Sequence, residues 1–475
     1  QILGVDRDTI LKKTKAKNYY EVIKKKVEKE DADKVRAFIK ENKLSGCIAL
    51  VEDSKRYYPY GNFASHVIGF TNVDGEGIEG VEAYYDQYLK GVPGRIITAK
   101  NAQGTEMPYK YETYIDPQNG QNLVLTIDEV IQHFLEKHLE QAIVDYNVKN
   151  RAAGIVMDVK TGDILALAVK PDYDLNNPRV ITDESVLEEI KALTGEEKSK
   201  REQEEWQKTW RNKVIADTYE PGSVFKLFTS AMALEEDLVH ENDSFYCKGY
   251  EIVGGRRIGC WKSHGYGAEN FLKGLQNSCN PVFMQVGQRI GADLFYKYVT
   301  AFGFREKTGI DLYGEATGIF HSLNNLKNPV SLAVSSFGQT FKVTPIQMIT
   351  AVSALANGGN LVTPHVAKAI VDDNGNVIKS FDTNVRRQVI SEETSKLISR
   401  YMESVVSEGT GKNAYIAGYR IGGKTATSEK IDEKNEQGIA DKRIASFACI
   451  APSDDPQIAV LIMLDEPNVP NPSGG

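Results

Sequence analysis

Ser223 and Lys226 stand three residues apart in YEPGSVFKLFTSAMALEE, residues 219 to 236. A serine hydroxyl is a poor nucleophile until a base takes its proton. On a helix, residues three apart lie on one face, one above the other. Pro221-Gly222 supplies a turn into such a helix. At the helix start, free backbone N–H groups and the positive dipole end favour developing negative charge. Among Phe225, Leu227 and Phe228, Lys226 would lose hydration, fall toward neutrality and act as the base. Taken alone the pattern is common, and an N-cap serine with a snorkelling lysine explains it equally well.

Two further stretches narrow the choice. LQNSCNPVF places Ser278 and Asn280 two residues apart, which fits a tight turn with both side chains on one side. GGKTATSEK places Lys424, Thr425, Ala426 and Thr427 in strand-like sequence. In a strand, Lys424 and Ala426 share one face and Thr425 and Thr427 the other. The small Ala426 would let a substrate approach the backbone. Ser-x-x-Lys, then Ser-x-Asn, then Lys-Thr-small-Thr, in this order, is far more specific than any one of them.

Cys247, Cys260, His264 and Cys279 form a second constellation. Three thiolates and an imidazole suit tetrahedral zinc, with Cys260-x-x-x-His264 closing round the ion at a turn. Asp243 or Asp128, folding back, would serve in place of one ligand. Two other readings stand beside zinc: buried cysteines acting as small apolar residues, or a Cys247–Cys260 disulfide. A metal here would brace the loop carrying Ser278 and Asn280, a structural role, and none is required for catalysis. Cys47 and Cys449 sit in apolar, strand-like sequence and are expected in the core.

These residues need elements to hold them. The chain has 475 residues, 41% hydrophobic and 26% charged, which suits two or three globular domains with a sizeable core. Its net charge of −8 gives no reason to expect nucleic acid. No apolar run approaches the roughly 18 residues of a membrane span. Both ends read as cuts. Residues 1–120 form one expected domain, rich in Lys, Glu and Tyr. Two helices are expected in NYYEVIKKKVEKEDADKVRAFIKEN and one short helix in VDGEGIEGVEAYYDQYLKGVPGRI. The composition shifts near 115–122, and residues 121–475 form the second expected domain. Asp128 is the expected N-cap of a helix. RAAGIVMD and DILALAVKP flank Lys160-Thr161-Gly162, a hairpin signal. Residues 185–212 read as a polar helical surface insertion. YRIGGKTATSE, RIASFACIAP and QIAVLIMLDEP give three more strands. The expected fold class is α+β, with five antiparallel strands and helices on the faces.

The three motifs together resemble those of penicillin-binding proteins and serine β-lactamases. The stretches YEPGSVFK, IGCWKSHGYG, QNSCNPVF, TGIDLYGEATG, VTPIQM and DDPQIAVLIMLDEP resemble class B penicillin-binding proteins, of the septal and sporulation type in Gram-positive bacteria. The resemblance covers nearly the whole chain and implies an elongated, non-catalytic N-terminal α+β pedestal before a transpeptidase domain. It implies Ser223 as the acylated nucleophile, Lys226 as its base and Ser278 as a proton relay to the leaving D-alanine. Asn280 would hold Lys226 and the substrate's peptide. Lys424, with Thr425 and Thr427, would receive the substrate carboxylate, and the N–H groups of Ser223 and Thr427 would form the oxyanion hole. The implied partners are stem peptides ending in D-Ala-D-Ala, β-lactams and a polytopic glycosyltransferase. The implied place is the outer face of the cell membrane, on a single N-terminal anchor lying outside this sequence. The chain departs from the family at Ala426 and Thr340, where glycine is usual. A final helix after VLIMLDEP is expected beyond this chain. A β-lactamase, or a non-enzymatic sensor or scaffold, is the alternative on the same fold.

Overall fold

The structure is a computed structural model that describes residues 2–15, 21–97, 113–430, 433, 435, 437–438 and 440–469. Its centre is a five-stranded sheet: β1 (Arg151–Asp158), β2 (Ile164–Lys170), β3 (Gly422–Glu429), β4 (Arg443–Ala451) and β5 (Ile458–Asp465). The order is β3-β4-β5-β1-β2, and every neighbouring pair is antiparallel, as the sequence predicts. The β1–β2 hairpin forms where the turn residues stand. Asp158 Oδ1 accepts the N–H groups of Lys160 and Thr161 at 2.8 and 2.9 Å, and Gly162 takes the left-handed φ of +86°.

Helices cover the sheet unequally. α1 (Glu129–Asp145) is capped by Asp128, whose Oδ1 accepts from the N–H groups of Val130 and Ile131. Its Leu135 and Leu139 pack on Ala152, Val156, Ala166 and Ala168. Gly154 permits that approach, because a Cβ there would lie 2.5 Å from Leu135 Cδ1. The other face carries the main core, which joins α2 (Lys226–Glu235), α3 (Phe271–Gln276), α4 (Asn280–Ile290), α5 (Pro345–Ala356) and α6 (Glu392–Glu408). α5 is buried along its whole length, which its nearly continuous apolar sequence requires. The polar insertion forms two helices, Glu184–Ala192 and Gly195–Trp210.

The first region departs from expectation. One helix, Lys29–Glu41, forms in place of two. Residues 21–28 are not helical, Lys26 takes a φ of +53° that no α-helix continues through, and residues 18–20 lie outside the described residues. An unexpected helix, Arg7–Thr14, is capped by Asp6. The Gly-punctuated segment holds two successive helical turns, Gly80–Tyr84 and Asp86–Leu89, not one. Cys47 is exposed, not core, because the stretch after it pairs with no strand. This region still shares the main core: Val67, Val81 and Tyr85 are buried in it, and Tyr85 donates to Asp311 at 2.7 Å.

Candidate active site

The nucleophile turn is built by close backbone approach. Gly222 opens a short 3-10 turn, Gly222–Phe225, that runs directly into α2. Its φ is +54°, and its N–H donates to Gly338 O at 2.9 Å. A Cβ on Gly222 would meet Ser428 Oγ at 2.7 Å, and one on Gly338 would meet Gly222 O at 1.9 Å. Both positions therefore require glycine. Ser428 Oγ donates to Glu220 O at 2.6 Å and ties β3 to the turn. Ser223 is half-buried, and its hydroxyl makes no hydrogen bond among the described residues.

Lys226 does not snorkel. It is fully buried, and its Nζ donates to Ser278 O at 2.7 Å, to Asn280 Oδ1 at 2.7 Å and to Ser278 Oγ at 3.1 Å. Burial pushes it down to about 7, against the opposing pull of Cys279, Cys260 and Glu269. Lys424 is also fully buried. Its Nζ donates to the same Ser278 Oγ at 3.0 Å and to Thr425 O at 3.0 Å. Burial, then the charge of Lys226, hold Lys424 well below the usual lysine range. Two ammonium groups sharing one hydroxyl repel, so the neutral form of one is favoured.

Ser278 carries this junction at a cost. Its φ is +53°, a conformation serine rarely takes, of order 1–3 kcal/mol. The strain turns Oγ toward both lysines, while Cys279 becomes the N-cap of α4 and Asn280 its first residue. The tight turn with both side chains on one side is what forms. On β3, Thr425 donates to Thr410 Oγ1 at 3.3 Å, and the Thr410 N–H donates to Gln276 O at 3.0 Å. Thr410 thus staples the Ser278 turn to β3. Thr427 is half-exposed. β3 is an edge strand, so alternate backbone N–H groups point away from β4. The Ala426 methyl is buried beside Gly222 and faces the nucleophile turn.

Sequence reasoning missed Thr410, Gly338 and Ser428. Only Ser428 left a signal, since it follows Lys424 and Ala426 at the strand period of two. Thr340 takes a φ of +68°, the conformation for which glycine is suited, and its hydroxyl meets His321 Nε2 at 3.0 Å.

The thiols of Cys247, Cys260 and Cys279 lie within 4.8 Å of one another. All five cysteines are free, so the Cys247–Cys260 disulfide does not form. His264 does not join them. The backbone of turn 262–265 packs against Gly249, where a Cβ would lie 2.0 Å from Ser263 O, and this leaves the His264 side chain exposed. The two substitute ligands are also elsewhere: Asp243 accepts from Arg289, and Asp128 caps α1. The Cys279 contact, helped by the N–H groups of Lys262 and Asn280, holds the Cys260 thiol down to about 5, and the same contact pushes Cys279 up. Glu269 is buried beside Cys279, where it helps push that thiol up, and its Oε2 accepts from Asn277 Nδ2 at 2.9 Å. The donor set is three clustered soft thiols, which fits zinc.

An antiparallel sheet, a helical lobe and a serine with two buried lysines between them define the penicillin-recognising transpeptidase fold. The family of the penicillin binding protein transpeptidase domain matches residues 152–475, and that of the penicillin-binding protein dimerisation domain matches residues 1–125. The chain belongs to the class B penicillin-binding proteins. It is 41% identical to stage V sporulation protein D of Bacillus subtilis over 93% of this chain and 64% of that protein, so it spans about two thirds of that relative's length. It is 31% identical to the peptidoglycan D,D-transpeptidase FtsI of Escherichia coli, over 92% of this chain and 67% of that one. Penicillin binding protein 3 of Mycobacterium tuberculosis, in complex with aztreonam, superposes with a TM-score of 0.72 at 25% identity, over 87% of this chain and 85% of that one.

Proposed function

We propose that this chain is the wall-facing part of a peptidoglycan D,D-transpeptidase. The observation that carries it is the Lys226 Nζ, fully buried and held by Ser278 and Asn280, with Lys424 on the same serine hydroxyl. Neutral Lys226 takes the Ser223 proton as Oγ attacks the carbonyl carbon of the penultimate D-alanine. The N–H groups of Ser223 and Thr427 receive the oxyanion. The tetrahedral intermediate collapses with cleavage of the C–N bond, and Ser278 relays a proton to the departing D-alanine nitrogen. An amine on a neighbouring stem peptide then attacks the acyl-serine. The ester C–O bond breaks, an amide forms, and Ser223 regains its proton. Lys424, Thr425 and Thr427 receive the donor's terminal carboxylate.

A β-lactam enters by the same attack and leaves a long-lived acyl-serine. Similarity to a sporulation protein and to FtsI supports a wall role in the spore cortex or septum. Among the described residues no helix is long and apolar enough to cross a membrane. The reading places the chain on the outer face of the cell membrane, behind an N-terminal anchor and beside a polytopic glycosyltransferase. Cys247, Cys260 and Cys279 would hold zinc through their three clustered thiols. Zinc there would supply structural bracing.

Intact-protein mass spectrometry after incubation with a penicillin tests the reading. A stable adduct of the drug's mass, absent in Ser223→Ala, is expected. Fast drug turnover without an adduct would favour a β-lactamase, and neither adduct nor turnover would favour a sensor or scaffold.

A further inference from the structure

A cavity of about 420 Å³ opens where the helical turns Gly80–Tyr84 and Asp86–Leu89 meet the strand Val377–Ser380. It lies beside the β1–β2 turn, because its wall residue His365 bridges to Asp163. Ser223 lies at β3, on the opposite edge of the sheet. Four strand spacings separate the two edges, about 19 Å.

The floor of the cavity is rigid. Tyr85 donates to Asp311 Oδ2, and the same carboxylate accepts the N–H groups of Val366 and Ala367 at 2.7 and 2.9 Å. Its walls are aromatic. Tyr84, Tyr85 and Phe381 form a run of ring contacts with centroids 5.1 and 5.6 Å apart, and Tyr84 also meets the exposed Tyr313 at 4.9 Å. Tyr84, Tyr88 and Phe381 are each half-buried, so they still offer ring surface. At the rim, Lys379 sits 4.9 Å over Phe381 and 5.9 Å over Tyr88. Among the described residues no carboxylate pairs with Lys379. The exposed Gln87 and Asp382 add planar polar groups to the same wall.

Ring faces beside planar polar groups suit a ligand that is apolar on one face and hydroxylated at its edges. A pyranose ring has that character: its C–H face lies on the aromatic ring, and its hydroxyl or acetamido groups meet amide and carboxylate. The free ammonium adds a preference for an acidic substituent. We propose that this pocket binds an N-acetylated sugar bearing a carboxylate, as part of the glycan strand, and so holds the polymer while its peptide reaches the distant cleft. The proposal deepens the transpeptidase reading and rests on it for the identity of the polymer.

The test uses the whole chain, first acylated with a penicillin so that the cleft is blocked. Peptide-free muramyl disaccharide and neutral chitotetraose are then titrated by NMR. The expected result is binding of both, tighter for the acidic sugar. Tyr84→Ala should weaken both at least tenfold, and Tyr84→Phe should retain them. Lys379→Gln, an exposed change that leaves folding intact, should erase the preference for the acidic sugar. Overturning results are no binding of either sugar, binding indifferent to both Tyr84→Ala and Lys379→Gln, or binding seen only on unacylated protein, which would place the sugar in the cleft. Failure of the underlying reading looks different: the penicillin adduct would not form, while the sugar titrations on untreated protein would still report the pocket.

Discussion

The turn at 278–280 has two sides. On one, Ser278 Oγ and Asn280 Oδ1 gather two buried lysines through hydrogen bonds of 2.7 to 3.1 Å. On the other, Cys279 meets Cys247 and Cys260 with no ion pair or disulfide to hold them. The polar side is satisfied by protein alone. The thiol side rests on contacts among three sulfurs, on the N–H groups of Lys262 and Asn280, and on Glu269 beside Cys279. The zinc proposed for the thiol side would add a brace to that half of the turn. Both sides act on one strained residue, and a change on either should be felt at Ser278.

Breaking the polar side should have the largest effect. Lys226→Ala removes the base and should slow penicillin acylation by about 10²–10⁴-fold in stopped-flow or timed mass spectrometry. It also strips Ser278 O and Asn280 Oδ1 of their donor, at about 1–3 kcal/mol of stability by denaturant titration. Normal acylation in this variant would remove Lys226 from the chemistry.

On the thiol side, a chelator, or Cys279→Ala, should lower the melting temperature and slow acylation together, because the Ser278 turn loses its brace. His264→Ala should change stability by no more than about 0.5 kcal/mol and leave metal content unaltered. Metal analysis of the purified protein decides this. A chelator-insensitive melt with no bound zinc would reduce the cluster to three packed thiols.

The same contrast explains what the sequence could disclose. Lys424 and Ala426 are related by the fixed period of a strand, so spacing alone put them on one buried face. The five strands were legible because each is an apolar run between turn signals. His264 was not, because its direction depends on how Gly249 and Gly265 let two loop backbones meet, and no period encodes that. Thr410 and Gly338 reach the site from segments far along the chain, through single contacts. The first region misled for a related reason: charged helical spacing there met Lys26 at a left-handed φ.

Ala426 sharpens the comparison within the polar side. Its methyl lies against the nucleophile turn, so Ala426→Gly should leave β-lactam acylation close to wild type and cost about 0.5–1 kcal/mol. Ala426→Val should push against Gly222, cost about 1–3 kcal/mol and slow acylation, as measured on the same adduct assay. A large gain in acylation for Ala426→Gly would instead show the methyl obstructing the ligand.

The smallest effect is expected far from the turn, where an ion pair ties the β1–β2 turn to the segment carrying His365. His365 Nε2 lies 2.9 Å from Asp163 Oδ1, with both side chains mostly buried. The hydrogen bond to Asp163 raises His365, with Asp311 adding to it, and the same bond lowers Asp163, with Lys368 adding to it. The raised histidine stabilises fully below its unfolded value, about 6.5, and loses that contribution as pH rises through its folded value. The lowered aspartate stabilises above about 3.9 and loses it as pH falls through its folded value. The pair therefore contributes most between about pH 4 and 6.5. Asp163→Asn should cost about 1 kcal/mol at pH 6 by urea denaturation, and the gap from wild type should narrow toward pH 9. Acylation at Ser223 should not change. If it does, the β1–β2 turn and the cleft are coupled, and the sheet between them transmits strain across its full width.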